Sequence, residues 1–355
     1  MAVMAEFLRM FRMGLGRDSI AGLGLLEEGG LLCKGTRIHP ADIDVLVFTD
    51  TGAEWEHTYR AWAAVQTICA RLDLRAIYQY KPPIEQQTAW LAILAPIRAR
   101  LAAATPKSKA YWKIRTELRF AVPLWQQNPP VTIEERAASG FYHRRVGIFE
   151  DYKSKESLIR FKDGGCTENH KILPNRRLME DLAMEEWAIP NDEWGRMVVR
   201  GEREPHQVLL FIAKDEAARC IDDRNEKPFY EESVYPLCEM GINKTDEQEV
   251  LDRMGLGWVR KSGCVGCKYQ GVEHFWALSH EEPSEFSRIE DYERAAADRN
   301  PKMVIMKNMK GKPRIREAIR RWRELNPLAT VQGVLARDYK RNDRRGRPVP
   351  RSENV

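Results

Sequence analysis

Hydrophobic positions in the first hundred residues follow two alternating rhythms. Short β-favouring runs at 7–13 ("FLRMFRM"), 42–52 ("DIDVLVFTDTG") and 75–80 ("RAIYQY") are each followed by a helical pattern, over 18–30, about 54–72 and near 85–103. The unbroken apolar stretch from Val45 to Phe48 fits a parallel strand covered on both faces. Gly29 and Gly30 mark a helix stop. This βαβαβα order predicts an α/β protein with a doubly wound parallel sheet.

Residues 104–160 are rich in aromatic and basic side chains without a clean period, and read as a helical insertion with loops. The pattern returns in "HQVLLFIAKDEAARC" (206–220), with a strand expected at 208–213 running into an acidic turn and a helix. "KTDEQEVLDRMG" (244–255) predicts a helix with a capping box from Thr245 to Gln248 and a stop at Gly255. The expected organisation is a core over residues 1–270 and a helical, basic C-terminal extension over 271–355. The last ~15 residues, from a run of arginines onward, have a disordered composition.

With 355 residues, 43% hydrophobic and 31% charged, the composition is that of a globular protein. No run approaches the roughly 18 apolar residues of a membrane span. The first residues show an acid at Glu6 and no cleavage-site pattern, so a cytoplasmic protein without a membrane partner is expected. Charge is unevenly placed: residues 298–355 carry a local net of +11, against −6 for the rest. Arg314, Arg316, Arg320, Arg321 and Arg323 surround Trp322. Such a stripe suits a nucleic-acid backbone, and equally suits aromatic packing with solvated arginines.

Two loops stand at expected strand ends, where ligands sit in open parallel sheets. The first, Gly14-Leu-Gly16-Arg17-Asp18-Ser19, enters a helix N-terminus. Free N–H groups and the helix dipole favour an anion there, Arg17 adds charge and Ser19 a hydroxyl. The second is Asp50-Thr51-Gly52-Ala-Glu54. Neither a Walker A pattern nor the full dinucleotide glycine set is present.

Taken together, "GLGRDS" and "VFTDTGAEWEHTY" resemble the SGGxDS pyrophosphate loop and the DTG…ETY segment of the phosphoadenosine phosphosulfate (PAPS) reductase-like family, within the adenine nucleotide alpha-hydrolase (PP-loop) superfamily. "CTENHKILPNRR" (166–177), "LLFIAKDEAAR" (209–219) and "YPLCEMGI…GLGWVRKSGCVGCKYQ" (235–270) extend the resemblance in order across residues 12 to 270. The resemblance implies an adenine-nucleotide enzyme with ATP or PAPS on Gly14, Gly16, Arg17, Asp18, Ser19, Asp50, Thr51 and Gly52. Arg17, Asp18 and Ser19 would carry the chemistry, with Mg²⁺ on the phosphates. The family's first Ser is Gly14 here and its first Gly is Leu15, which removes one hydroxyl contact to pyrophosphate.

Seven cysteines, an odd number, argue against a disulfide framework. Cys33, Cys69 and Cys220 lie in or beside apolar patterns and read as buried small hydrophobes. Cys264-Val-Gly-Cys267 places two thiols on one turn, a spacing used by zinc, iron–sulfur clusters and redox dithiols. The resemblance adds Cys166 as a companion and implies a [4Fe–4S] cluster used in sulfur transfer, with Cys238 as a possible fourth ligand. Zinc completed by His170, His274 or His280 is the alternative, and free thiols a third. Lys171, Arg176 and Arg177 offer positive charge, and Asp215, Glu216 and Arg219 line an expected strand end, where Asp215 could also cap a helix. Three functions follow: adenylation coupled to sulfur transfer, thiol-dependent reduction of an adenylyl sulfate, and nucleic-acid binding without catalysis. No cysteine follows Cys267, which disfavours a reductase relying on a C-terminal thiol.

Overall fold

A computed structural model describes residues 7–80, 84–106, 108–120, 126–127, 148, 167–220, 228–260, 262–267, 270–300, 305 and 313–335. Cys166, most of the 104–160 insertion and residues 336–355 lie outside the described residues.

Five parallel strands form the sheet: β1 (Arg9–Met13), β4 (Val45–Asp50), β5 (Ala76–Tyr80), β7 (His206–Leu209) and β8 (Glu231–Val234). Short β6 (Gln126–Gln127) joins antiparallel to β5, giving the order β6-β5-β4-β1-β7-β8. The chain runs outward from β1 through β4 and β5, then returns to add β7 and β8 on the other side. The order therefore reverses beside β1, the place where such sheets open a crevice at their carboxyl edge.

Alternation within the strands explains why both faces are covered. Phe11, Met13, Leu46, Phe48 and Tyr78 face one way, onto Ile20, Leu23 and Leu26 of α1 (Arg17–Glu28) and Trp62, Val65 and Cys69 of α2 (Glu56–Arg71). Met10, Val45, Val47 and Ile77 face the other, onto Leu178, Met179, Leu182 and Ala183 of α5 (Leu173–Trp187). Helices thus sandwich the sheet, as the doubly wound pattern requires. α3 (Ile84–Ala103) and α4 (Lys109–Phe120) follow β5, α4 within the expected helical insertion. α6 (Asn191–Val199) leads into β7.

Several boundaries differ from expectation for identifiable reasons. The strand expected at 208–213 is His206–Leu209, because Leu210 still bonds Val234 O but Phe211 then turns to stack on Phe11, 4.1 Å between centroids. Gly22 of α1 makes room for that ring, since a Cβ there would lie 2.2 Å from it. The helix expected from about 54 begins at Glu56, because Glu54 is held in a β-bridge to Cys264. The capping box of α8 (Lys244–Arg253) is Asn243 with Asp246, not Thr245 with Gln248. A hairpin of β2 (Leu31–Cys33) and β3 (Thr36–Ile38) was not expected, and neither was polar β8.

The C-terminal helices are α9 (Val272–Glu281), α10 (Pro283–Arg299), α11 (Ile315–Leu325) and α12 (Val331–Leu335). They share a core with Ala53, Trp55 and Val265, so the extension is built directly on the β4 loop and the CxxC turn. Buried Glu293 organises them by accepting from Ile305 N–H and Ile315 N–H, each at 2.8 Å. Trp322 packs 5.2 Å from Trp276, and Arg323 lies over the Trp276 ring. Among the described residues no helix is long and apolar enough to cross a membrane.

His206 opens β7 in full burial, with its Nδ1 accepting from Leu8 N–H (3.1 Å) and its ring 4.2 Å from that of Trp194. Burial lowers its pKa from 6.5 to about 3. The unfolded chain therefore binds a proton that the folded one refuses, and stability present above pH 6.5 is lost as pH falls towards 3. Urea denaturation of wild type should show unfolding free energy starting to fall below about pH 6.5 and dropping by about 1.4 kcal/mol per unit between roughly pH 5.5 and pH 4 from this group. His206→Gln should flatten that slope; an unchanged slope would assign the acid sensitivity to other residues.

Candidate functional site

The carboxyl edge of the sheet gathers three segments. The first is the turn between β1 and α1. Leu15 takes a left-handed conformation (φ 56°) with its side chain fully buried. That conformation costs an L-residue roughly 1–2 kcal/mol and is ordinarily glycine's. Gly14 N–H donates to Ser19 Oγ (3.2 Å), whose hydroxyl donates to Gly16 O (3.1 Å). Ser19 thus shapes the turn. Gly16 caps α1 without a side-chain hydrogen bond, so its first-turn N–H groups and dipole favour an anion.

Arg17 and Asp18 both turn towards α8. Arg17 Nε lies 3.6 Å from Glu247, and the guanidinium stacks 4.6 Å over Trp258. Asp18 Oδ1 accepts from Lys244 Nζ at 2.6 Å, and Lys244 reaches Glu247 at 3.3 Å. Burial and the neighbouring Asp18 charge push Glu247 up to about 8, against the pull of Lys244 and Arg17. Lys244 and Glu247 were not singled out from the sequence. Their signal was only the i, i+3 spacing of opposite charges on a helix.

The second segment is the β4–α2 loop. Asp50 is buried and fully employed: Oδ1 accepts from Gly52 N–H (2.7 Å) and the Tyr59 hydroxyl (3.0 Å), and Oδ2 from the Tyr78 hydroxyl (2.7 Å). It builds the loop from inside. Thr51 donates to Glu54 Oε1 at 2.9 Å, and its hydroxyl lies 3.3 Å from Cys264 Sγ.

The third segment is the CxxC turn. Val265 N–H bonds Ala53 O (2.6 Å), Cys267 N–H closes the turn on Cys264 O (3.0 Å), and Gln270 Nε2 donates to the same carbonyl (2.6 Å). Lys171, on a π-helical turn (Glu168–Ile172) before α5, places its ammonium 3.2 Å from Glu54 Oε1. Cys264 Sγ is 3.6 Å from that oxygen. Burial, then the Glu54 carboxylate, raises the Cys264 thiol pKa well above its ordinary value. Burial opposes charge on Lys171, but Glu54 and Cys264 outweigh it and the net shift is upward. Glu54 Oε2 is buried without a hydrogen-bond partner among the described residues. Glu54, only a member of a quoted stretch in the sequence, is thus the hub of this cluster.

Other expected residues are placed elsewhere. Cys238 lies 3.2 Å from Cys220 and beside Ile212 O (3.1 Å). Cys220 is half-buried in that pair, a correction to its reading as a buried small hydrophobe, whereas Cys33 and Cys69 are buried as expected. Burial and the bond to Cys238 push Cys220 up to about 12. Asp215 and Arg219 are exposed and Glu216 half-buried on a 3-10 turn (Lys214–Arg219). Ala213 is the N-cap of that turn, so Asp215 does not cap it; Glu216 pairs with Arg219. Arg176 pairs with Glu231 and Arg177 with Asp181. His280 packs edge-on to Trp276. Among the described residues, no group of three or more His, Cys, Asp or Glu side chains could hold a metal ion. In the extension, Arg316 pairs with Glu290, while Arg320 and Arg321 pair with Glu317.

Ser262 connects the first and third segments. A Cβ on Gly16 would lie 2.5 Å from Ser262 N, a backbone atom that cannot step aside. At Gly14 the nearest atom is Ser262 Oγ, 3.3 Å away and able to rotate. Gly16→Ala should therefore destabilise the protein by about 1–3 kcal/mol in urea denaturation, and Gly14→Ala by clearly less. Equal effects would show that Ser262 does not press on Gly16. In comparisons of the chain with protein-family models, curated proteins and solved structures, nothing matches.

Proposed function

We propose that this chain is an adenine-nucleotide enzyme related to the PAPS reductase-like proteins, which binds ATP by its phosphates at residues 14–19 and activates an acceptor oxygen for sulfur transfer. The observation carrying this reading is the 262–267 segment. Its Ser262 end rests on the Gly14–Gly16 turn and its Cys264 end on the Thr51–Glu54 loop. One six-residue stretch therefore carries the thiol pair and borders the anion-favouring helix terminus.

In this reading the first-turn N–H groups of α1 receive phosphate oxygens and stabilise charge as pyrophosphate departs. Asp18, held by Lys244, is the carboxylate available to Mg²⁺ that accompanies the phosphates. Arg17 braces the turn through Trp258 and Glu247, and Ser19 fixes its shape. Cys264 and Cys267 suit two ligand positions, and the buried Glu54 carboxylate stands beside the first of them. With Cys166 they would hold a [4Fe–4S] cluster, which supplies an iron-bound position for sulfur. Lys171 sets an ammonium beside the thiols, and Gln270 and Thr51 orient their turn.

Two measurements test this. Calorimetric titration of Mg-ATP should show binding to wild type and at least tenfold weaker binding to Asp18→Ala; no binding by wild type, or equal binding by both, overturns the nucleotide assignment. Anaerobically purified protein should contain iron and acid-labile sulfide, both lost in Cys264→Ser. Stoichiometric zinc without sulfide would replace the cluster with a zinc site.

A further inference from the structure

The nucleotide reading leaves one thiol pair unused. Cys220 directly follows the 3-10 turn after β7, and Cys238 lies in α7 (Pro236–Glu239) after β8. Their sulfurs stand 3.2 Å apart although 18 positions separate them in sequence, and both are free thiols. The hydrogen-bond geometry orders the pair. Cys238 Sγ donates its one hydrogen to Ile212 O (3.1 Å), which leaves Cys220 to donate to Cys238.

The surrounding scaffold fixes this approach. β7 and β8 are hydrogen-bonded neighbours, Lys214 N–H bonds Ile242 O at 2.7 Å, and Ile242 N–H closes back on Leu237 O at 2.9 Å. Each sulfur is thus carried by a loop whose base is anchored to the same pair of strands. A disulfide requires the sulfurs to approach by roughly 1 Å more.

We propose that Cys220 and Cys238 form an oxidisable dithiol, a modification site that takes up a reversible disulfide by exchange with a low-molecular-weight disulfide. One cysteine, as thiolate, attacks a sulfur of the small disulfide and releases the first small thiolate. The second cysteine, as thiolate, then attacks the protein sulfur of that mixed disulfide and releases the second. The two cysteines together give up two electrons and two protons, and the small disulfide leaves as two thiols. The new bond ties the loop after β7 to the loop after β8. Glu216, on the tied turn, adds its charge to those acting on Lys244, so the link fixes an element next to the Asp18–Lys244 pair.

The test uses the full-length protein equilibrated with graded ratios of reduced to oxidised glutathione, alkylation of remaining thiols, and peptide mapping by mass spectrometry. The expected product is a single peptide pair linking Cys220 to Cys238, released by dithiothreitol. In Cys220→Ala, Cys238 should accumulate a glutathione adduct at least tenfold above wild type, because the resolving thiol is gone. The proposal is overturned if both cysteines are recovered alkylated at every ratio. It is equally overturned if wild type carries separate glutathione adducts on the two residues.

Discussion

The backbone of Ser262 presses against Gly16, and much of the carboxyl edge depends on that approach. On the same edge, Trp258 lies under the Arg17 guanidinium and Cys264 meets Glu54 across a β-bridge. Val265 then enters a core with Trp55, Phe275 and Ile289, on which the C-terminal helices are built. A glycine at 16 therefore serves the chain's own backbone as well as any phosphate. The two roles are compatible, since the α1 N–H groups carry no side-chain cap.

The two loops handle buried charge in different ways. Asp50 accepts from one N–H and two tyrosine hydroxyls, which fix the loop from inside. At the α1 terminus four ionisable groups, Arg17, Asp18, Lys244 and Glu247, share one small volume, and the Glu247 carboxyl is pushed towards its neutral form. Breaking one partner of such a buried cluster costs more than the cluster contributes, because the remaining charge is stranded. Glu54 sits between these cases: Lys171 and Thr51 satisfy Oε1, while Oε2 has no hydrogen-bond partner among the described residues.

Among the described residues of the basic extension, four arginines have partners within the chain. Arg316, Arg320 and Arg321 each face a glutamate, and Arg323 spends its charge on Trp276 and main-chain carbonyls. Exposed pairs of this kind are individually weak, about 0–1 kcal/mol. They nonetheless give the arginines partners that a phosphate backbone would have to displace.

Local pattern sufficed for the alternation of β1, α1, β4, α2, β5 and α3, because apolar runs and spacings of 2 or 3.6 residues are written within each segment. The turn at residues 14–19 and the CxxC were legible for the same reason: their chemistry lies within six residues. What needed tertiary structure was anything decided by a distant neighbour. Phe211 leaves its expected strand for Phe11 and Gly22, and polar β8 exists because β7 offers it an open edge. Glu54 becomes a hub only when Lys171, 117 positions away, and Cys264, 210 positions away, fold onto it. Cys238 meets Cys220 rather than standing alone because parallel neighbours bring their following loops to the same edge. Local pattern sets which segments form; the return of the chain across the sheet sets which side chains meet, since contact in three dimensions carries no signature in the spacing of either partner.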